Sequence, residues 1–406
     1  MPTFVVDVLD ASGKRLKEKV VAPSPAQAQR MLLSKYARVG QAKRASINMN
    51  LDLSAIEERL SGVGVKDKAI FSRQFSALVD AGVGITRGLA VLGEQTRNPK
   101  LRKSIAAIDR DVQQGINLSE AMGKQPQCFD RLYVSMIEAG ETGGVLDEVL
   151  DRLAKLLEDL ARLQGQIKAA MAYPVAVMLF AVAVFFGMAI FLIPIFGEIF
   201  EDLGVELPLI TRLMLQVSDV LRSWRAALVV GVAIAIVLLI RQYYKTPAGR
   251  LQIDMLLLKI PVLGDLNQKS AVARFCRVFG TLTRSGVPIL TSLEIVKDTS
   301  GNQVVANSIE ATSREVEKGG MISTALIRER VFPPLATAMI SIGEETGEVD
   351  AMLMKVAEFY EQEVEQAVKA LTSILEPVMI VVVACLVGVI LVSMYMPMFK
   401  VFDAIG

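Results

Sequence analysis

One sequence feature constrains the fold more than any other: the chain repeats itself. The stretch FSRQFSALVDAGVGITRGL at Phe71 returns as FCRVFGTLTRSGVPILTSL at Phe275, 204 residues later. Phe71/Phe275, Arg73/Arg277, Phe75/Phe279, Gly82/Gly286 and Leu89/Leu293 coincide. After a one-residue slip, GETGGVLDEVL at Gly140 aligns with GEETGEVDAML at Gly343. The match runs on through Pro174/Pro377 and Pro194/Pro397. A repeat of about half the chain demands two copies of one structural unit. The spacing of Phe71, Phe75, Leu78 and Val79 places them on one helix face. Gly82 and Gly286 are placed as helix C-caps, and Pro288 in the first turn of the next helix. Breaks at Asn98-Pro99 and Pro333-Pro334 bring the count to about six helices per copy, a compact bundle.

Each copy ends in an apolar run. Residues 174–196 and 377–399 hold no charged side chain, and about 20 apolar residues suffice to cross a hydrocarbon core. A shorter run, Ala226 to Ile240, is flanked by Trp224 and by Tyr243 and Tyr244, as at an aromatic belt. The repeat supports this middle span independently, because two copies on one side of a membrane need an even number of crossings between them. Arg241, Lys245, Arg250 and Lys259 against Asp254 alone make the flank after the middle run basic, and the positive-inside rule sets it in the cytoplasm. The first fifty residues, with nine Lys or Arg against three acids, fall on the same side. They lack a basic stretch leading into an apolar core and are not read as a cleaved signal peptide.

Composition narrows the function. The chain is 52% hydrophobic with a net charge of +1, which turns the reading from nucleic acid to membrane. It contains no histidine, the commonest general base and metal ligand. Cys128, Cys276 and Cys385 are far apart and form no CxxC pair. Gly82, Gly84 and Gly88 lack the dinucleotide spacing, and there is no GxxxxGK[ST] motif. The spans carry no ionisable residue between their ends, where a transporter would place one. Asp151/Lys155 and Glu158/Arg162 fall at i, i+4 on the helix from about Leu146 to Ala170, as expected of a solvated face. The recurring acids Glu141/Glu344 and Asp147/Asp350 admit two readings. They complement helix-start dipoles, or they form a contact surface or oxygen ligands for a hard cation.

The opening MPTF, the FSRQF and AGV elements, the paired G-E-x-x-G-x-[LV]-D-x-x-L segments and the proline-bounded spans together resemble the GspF/PilC family of inner-membrane platform proteins. The resemblance covers essentially the whole chain, and its N-terminal segment is more similar to the pilus branch. It implies six-helix cytoplasmic bundles, homo-oligomerisation, and contact with pilus motor ATPases for extension and retraction. Contact with pilin subunits and inner-membrane alignment proteins is implied as well. Cation binding by the soluble domain also follows from the resemblance, with Glu141, Asp147, Glu344 and Asp350 as candidates only.

The expectation is an all-α membrane protein with two duplicated six-helix cytoplasmic bundles, three transmembrane helices and a small α/β N-terminal segment. That segment occupies 1–40, with strands at 4–9 and 17–22 around an Ala-Ser-Gly turn and a helix at 25–36. A linker follows at 41–66. The first bundle (67–170) leads into span one (171–196), a short periplasmic segment (197–222), span two (223–241) and a cytoplasmic connector (242–268). The second bundle (269–373), span three (374–399) and a periplasmic tail (400–406) complete the chain. The expected role is a platform for type IV pilus biogenesis in the inner membrane, N-terminus inside, with no enzymatic activity, no cofactor and no nucleic acid partner. The type II secretion protein F is the alternative, and a small membrane transporter or enzyme a more distant one.

Overall fold

The computed structural model describes residues 3–9, 15–22, 24–33, 38–39, 43–44, 62–202 and 207–405. They form two compact units, Met1–Gly62 and Val63–Gly406. In the first unit, β1 (Thr3–Leu9) pairs antiparallel with β2 (Arg15–Val21), with Thr3 opposite Val21 and Leu9 opposite Arg15. Helix α1 spans Pro25–Leu33. The other edge of β1 is shared by β3 (Arg38–Val39) and β4 (Lys43–Arg44). The expected Ala-Ser-Gly turn, the end of the 25–36 helix and most of the 41–66 linker lie outside the described residues.

The second unit carries the repeat. The first bundle comprises α2 (Val65–Asp80), α3 (Ile85–Gln95), α4 (Pro99–Gln113), α5 (Leu118–Gly123), α6 (Arg131–Gly143) and the start of α7 (Leu146–Gly187). A π-helical turn, Met188–Leu192, joins α7 to α8 (Ile193–Asp202). Then come α9 (Leu209–Arg222), α10 (Arg225–Tyr244) and α11 (Pro247–Lys259). The second bundle comprises α12 (Leu263–Arg284), α13 (Ile289–Thr299), α14 (Gln303–Glu317), α15 (Ile322–Glu329), α16 (Pro334–Thr346) and the start of α17 (Val349–Ile405).

Local chemistry repeats with the sequence. Asn98 caps α4 by accepting from the amides of Lys100 and Leu101, and Asn302 caps α14 through those of Val304 and Val305. Gly82 and Gly286 follow the C-cap residues of α2 and α12 with φ of +77° and +82°, where a Cβ would be strained. Pro288 is the N-cap of α13 rather than part of its first turn; its extended ψ of 142° sets the entry angle. Phe71, Phe75, Phe129 and Tyr133 stack in the first core, and Phe275, Phe279 and Phe332 in the second. Truncating one such ring to alanine costs about 3–5 kcal/mol. The buried apolar residues of the two bundles form one continuous cluster.

Among the described residues, three helices are long and apolar enough to cross a membrane: the α7–α8 rod, α10 and α17. At about 1.5 Å per residue, the 57 residues of α17 extend roughly 85 Å, far beyond a bilayer core. Its N-terminal part therefore serves the bundle and its C-terminal part the membrane, with no break at Pro377. The rod of the first copy contains Pro174 inside α7, and its π turn includes Ile190, whose carbonyl an α-helix would press against the Pro194 ring. The segment between the first two spans is not a plain loop. It holds α9, docked to α17 by a hydrogen bond from the Thr211 hydroxyl to the Ser393 carbonyl. Residues 203–206 of that segment lie outside the described ones.

Candidate functional site

The two bundles meet along α7, α12 and α17, and the charged residues of the repeat gather there. Arg277 on α12 donates to both carboxylate oxygens of Glu361 on α17, at 2.8 and 2.7 Å. Asp159 of α7 approaches the same guanidinium at 3.9 Å, and Arg162 approaches Glu361 at 3.6 Å. Only 5% of the Arg277 side chain is exposed. Burial works to lower its pKa, but the paired Glu361 outweighs this and holds it above the ordinary arginine value. A cleft of about 380 Å³ opens beside this group, lined by Lys155, Asp159, Arg162, Arg277, Glu358 and Glu361 among others. Below it, Leu163, Leu266, Val364 and Val368 close an apolar cluster where the long helices approach the membrane.

The α7 acids Asp151 and Glu158 lie on a solvent-exposed face, as expected, but pair with a residue of another helix. Arg73, the counterpart of Arg277, grips Glu158 with two bonds of 2.7 Å and Asp151 with one of 2.6 Å. Its pKa is raised mainly by the Glu158 bond. The i, i+4 partners predicted for Asp151 and Glu158 give way to Arg73 because its planar fork satisfies two carboxylates at once.

Glu141 and Glu344 cap helices, but not their own. Each lies near the end of its helix and reaches across to the start of another. Glu141 accepts from the amides of Leu118 (2.6 Å) and Ser119 (3.1 Å) and from the Ser119 hydroxyl. Glu344 accepts from the amides of Ile322 (2.6 Å) and Ser323 (2.9 Å). The carboxylate takes up orphan donors at a helix start and meets the positive end of its dipole. Asp147 and Asp350 sit in the first turns of α7 and α17. Among the described residues, no group of three or more Asp, Glu or Cys side chains is arranged to hold a metal ion. Gly140 and Gly343 are fixed by close approach. A Cβ on Gly343 would come within 2.9 Å of the Val349 Cα, and one on Gly140 within 3.2 Å of the Leu146 Cα.

A second joint ties span two to the second bundle. Asp254 of α11, 2% exposed, accepts from the Tyr244 hydroxyl at the end of α10 (2.9 Å) and from the Gln303 amide at the start of α14 (2.7 Å). The Arg250 Nε lies 3.9 Å away. The sequence marked Asp254 only as the one acid in a basic flank, and that isolation was the available signal. Between α11 and α12, Val262 adopts φ +69° and ψ −52°, and the Leu263 amide donates to the Pro261 carbonyl at 2.9 Å. This is the rare, strained form of γ-turn, and a β-branched residue is a poor occupant of it.

These features define a class: a duplicated helical membrane protein in which each soluble bundle shares an unbroken or nearly unbroken rod with a span. The family model for Type II secretion system (T2SS), protein F matches residues 71–194 and again 275–397, the two copies of the repeat. The chain belongs to that family. It is 41% identical over 409 residues, the full length of both chains, to a Type IV pilus assembly protein PilC of Thermus thermophilus. It is 38% identical to one from Myxococcus xanthus over 85% of this chain and 82% of the relative. It is also 30% identical to a Type II secretion system protein F of Vibrio cholerae over 98% of both.

Proposed function

We propose that this chain is the inner-membrane platform protein of type IV pilus assembly, and that it works as a mechanical coupler rather than a catalyst. Its soluble bundles face the cytoplasm, take up the motion of the extension and retraction motor ATPases, and pass it along α7 and α17 to pilin subunits in the membrane. Inner-membrane alignment proteins and further copies of the chain complete the platform. One observation carries this reading: the helices that form the inter-bundle seam are the same helices that enter the membrane. A tilt at Arg277–Glu361 moves the spans without an intervening flexible joint. The basic flanks support the orientation, and full-length similarity to pilus assembly proteins supports the pilus branch.

The test is co-purification of the full-length chain with candidate motors, together with piliation of cells carrying Asp254→Asn. The coupler reading expects capture of a pilus motor. It also expects a variant that is inserted at normal levels yet assembles fewer pili, because the joint between span two and α14 is loosened. Capture of a secretion motor instead would move the assignment to the type II secretion platform, the reading that the Vibrio relative favours. Full piliation with Asp254→Asn would remove the α11 joint from the mechanism.

A further inference from the structure

The contact between the two bundles is heterologous. The first bundle contributes α6 and α7, and the second contributes α12, α13 and α17. Arg131 at the start of α6 donates to Glu294 on α13 (2.6 Å), and Arg152 on α7 donates to the Arg284 carbonyl at the end of α12 (2.9 Å). Because the bundles are copies, each also carries the positions of the half that the other uses, although Pro334 and Ala90 stand where Arg131 and Glu294 would, so that ion pair has no counterpart. Among the described residues of Val63–Gly406, nothing covers those two halves. Leu156, which faces the second bundle across a cleft with Arg277 and Arg284, is 1% exposed, whereas its counterpart Phe359 on α17 is 44% exposed. Arg277 is 5% exposed and Arg73 is 40% exposed. In the first bundle the equivalent cleft, about 430 Å³, stands open between α2 and α7, lined by Arg73, Asp80, Asp147, Glu148 and Asp151.

We infer that this open α2–α7 cleft receives the second bundle of another copy of the chain, with Phe359 and Lys355 of α17 entering it as Leu156 and Arg152 of α7 enter the in-chain seam. Charge selects the pairing. The counterpart of Arg152 is Lys355 and that of Arg284 is Asp80, so two arginines in the chain become a lysine and an aspartate between chains. Lys355 is the cation that the incoming α17 offers to the acids around the cleft, and Glu358, which takes the place of Lys155, is left to Arg73. The like-charged meeting of Glu365 with Glu158 is offset because Lys369 holds Glu365 (2.9 Å) and Arg73 holds Glu158. Geometry permits repetition. Both long helices run from bundle to span in the same chain direction, so repetition about the membrane normal keeps every added copy on the same face. A heterologous contact repeated about such an axis closes into a ring or extends in the plane.

The inference rests on self-association of the platform, and the test separates the two. Two tagged full-length chains, both with Cys385→Ser, are co-expressed, one with Asp80→Cys and the other with Lys355→Cys. A short bis-maleimide is then applied in detergent extracts. The expected result is a covalent dimer bearing both tags, several-fold above that formed when either variant meets a partner without its new thiol. Lys355→Glu in one chain weakens co-purification of the tags by roughly fivefold, and Asp80→Lys in its partner restores it. Tags that co-purify without cross-linking overturn the assigned faces while leaving self-association intact. Tags that fail to co-purify from wild-type chains overturn self-association itself, and the inference with it.

Discussion

The two bundles share an interior but not a surface. Their Phe pairs, helix-capping asparagines, cross-reaching glutamates and three pairs of positive-φ glycines (Gly82/Gly286, Gly115/Gly319, Gly144/Gly347) coincide position by position. Their arginines do not share an environment. Arg73 bridges two acids at a surface open to solvent, whereas Arg277 is shut into the inter-bundle seam with Glu361. Duplication copied a core, and divergence then assigned one copy's outer face to the other copy's long helix. The same guanidinium–carboxylate geometry is consequently worth very different amounts. An exposed bridge contributes about 0–1 kcal/mol, whereas removing one partner of a buried pair costs about 3–5 kcal/mol, because the other charge stays behind unsatisfied.

That difference sets the largest expected effect. Arg277→Ala should destabilise the solubilised protein by about 3–5 kcal/mol, and Arg73→Ala by no more than about 1 kcal/mol. Chemical denaturation followed by protease susceptibility of the bundles measures both. Equal losses would mean that the seam is wet and loosely closed, and that the two arginines do not differ. The double variant Arg277→Met/Glu361→Leu sharpens the comparison. If the pair specifies the seam rather than strengthening it, the double variant recovers much of the stability lost by Arg277→Ala.

A smaller contrast concerns the glycines under the turns into the long helices. At Gly343 a new Cβ meets the Val349 backbone at 2.9 Å, so α17 itself must shift; at Gly140 the tightest neighbour is the Val149 Cβ at 3.1 Å. Overpacking of this kind costs about 1–3 kcal/mol. Gly343→Ala should fall in the upper part of that range and Gly140→Ala in the lower, read as a shift in denaturation midpoint. A reversed order would show that the second bundle yields more easily than its packing indicates.

Much of this architecture is legible in the sequence itself. Repeats, spans and glycine stops are local or periodic signals, and Phe71, Gly82 and Pro174 announce themselves through their counterparts. The six-helix count followed from breaks that capping chemistry enforces at Asn98 and Pro333. What stayed hidden depends on which surfaces meet. Arg73 finds Glu158 85 residues away, and nothing in the i, i+4 pattern of α7 reveals that a guanidinium from α2 outcompetes Lys155 and Arg162. Glu141 read as a carboxylate at a helix start. It does serve one, but on α5, because the fold brings the end of α6 there. Asp254 had no counterpart to compare with, since α11 lies outside the repeat.

The smallest expected effect lies in that unrepeated connector. Val262 forms a turn that only glycine adopts without penalty, at the point where α11 hands over to the second bundle. Backbone strain of this sort costs on the order of 1–3 kcal/mol, partly offset in a glycine variant by the greater freedom of its unfolded chain, about 0.5–1 kcal/mol. Val262→Gly should therefore stabilise the protein by about 1 kcal/mol, where a valine-to-glycine change at an ordinary exposed site would destabilise it. Denaturation midpoints of the two chains give the sign directly. A destabilised variant would show that Val262 contributes more through its packing than it loses in its backbone, and the turn would then be a support between α11 and α12 rather than a strained joint. A stabilised variant that also assembles fewer pili would link the strain to the motion of the second bundle.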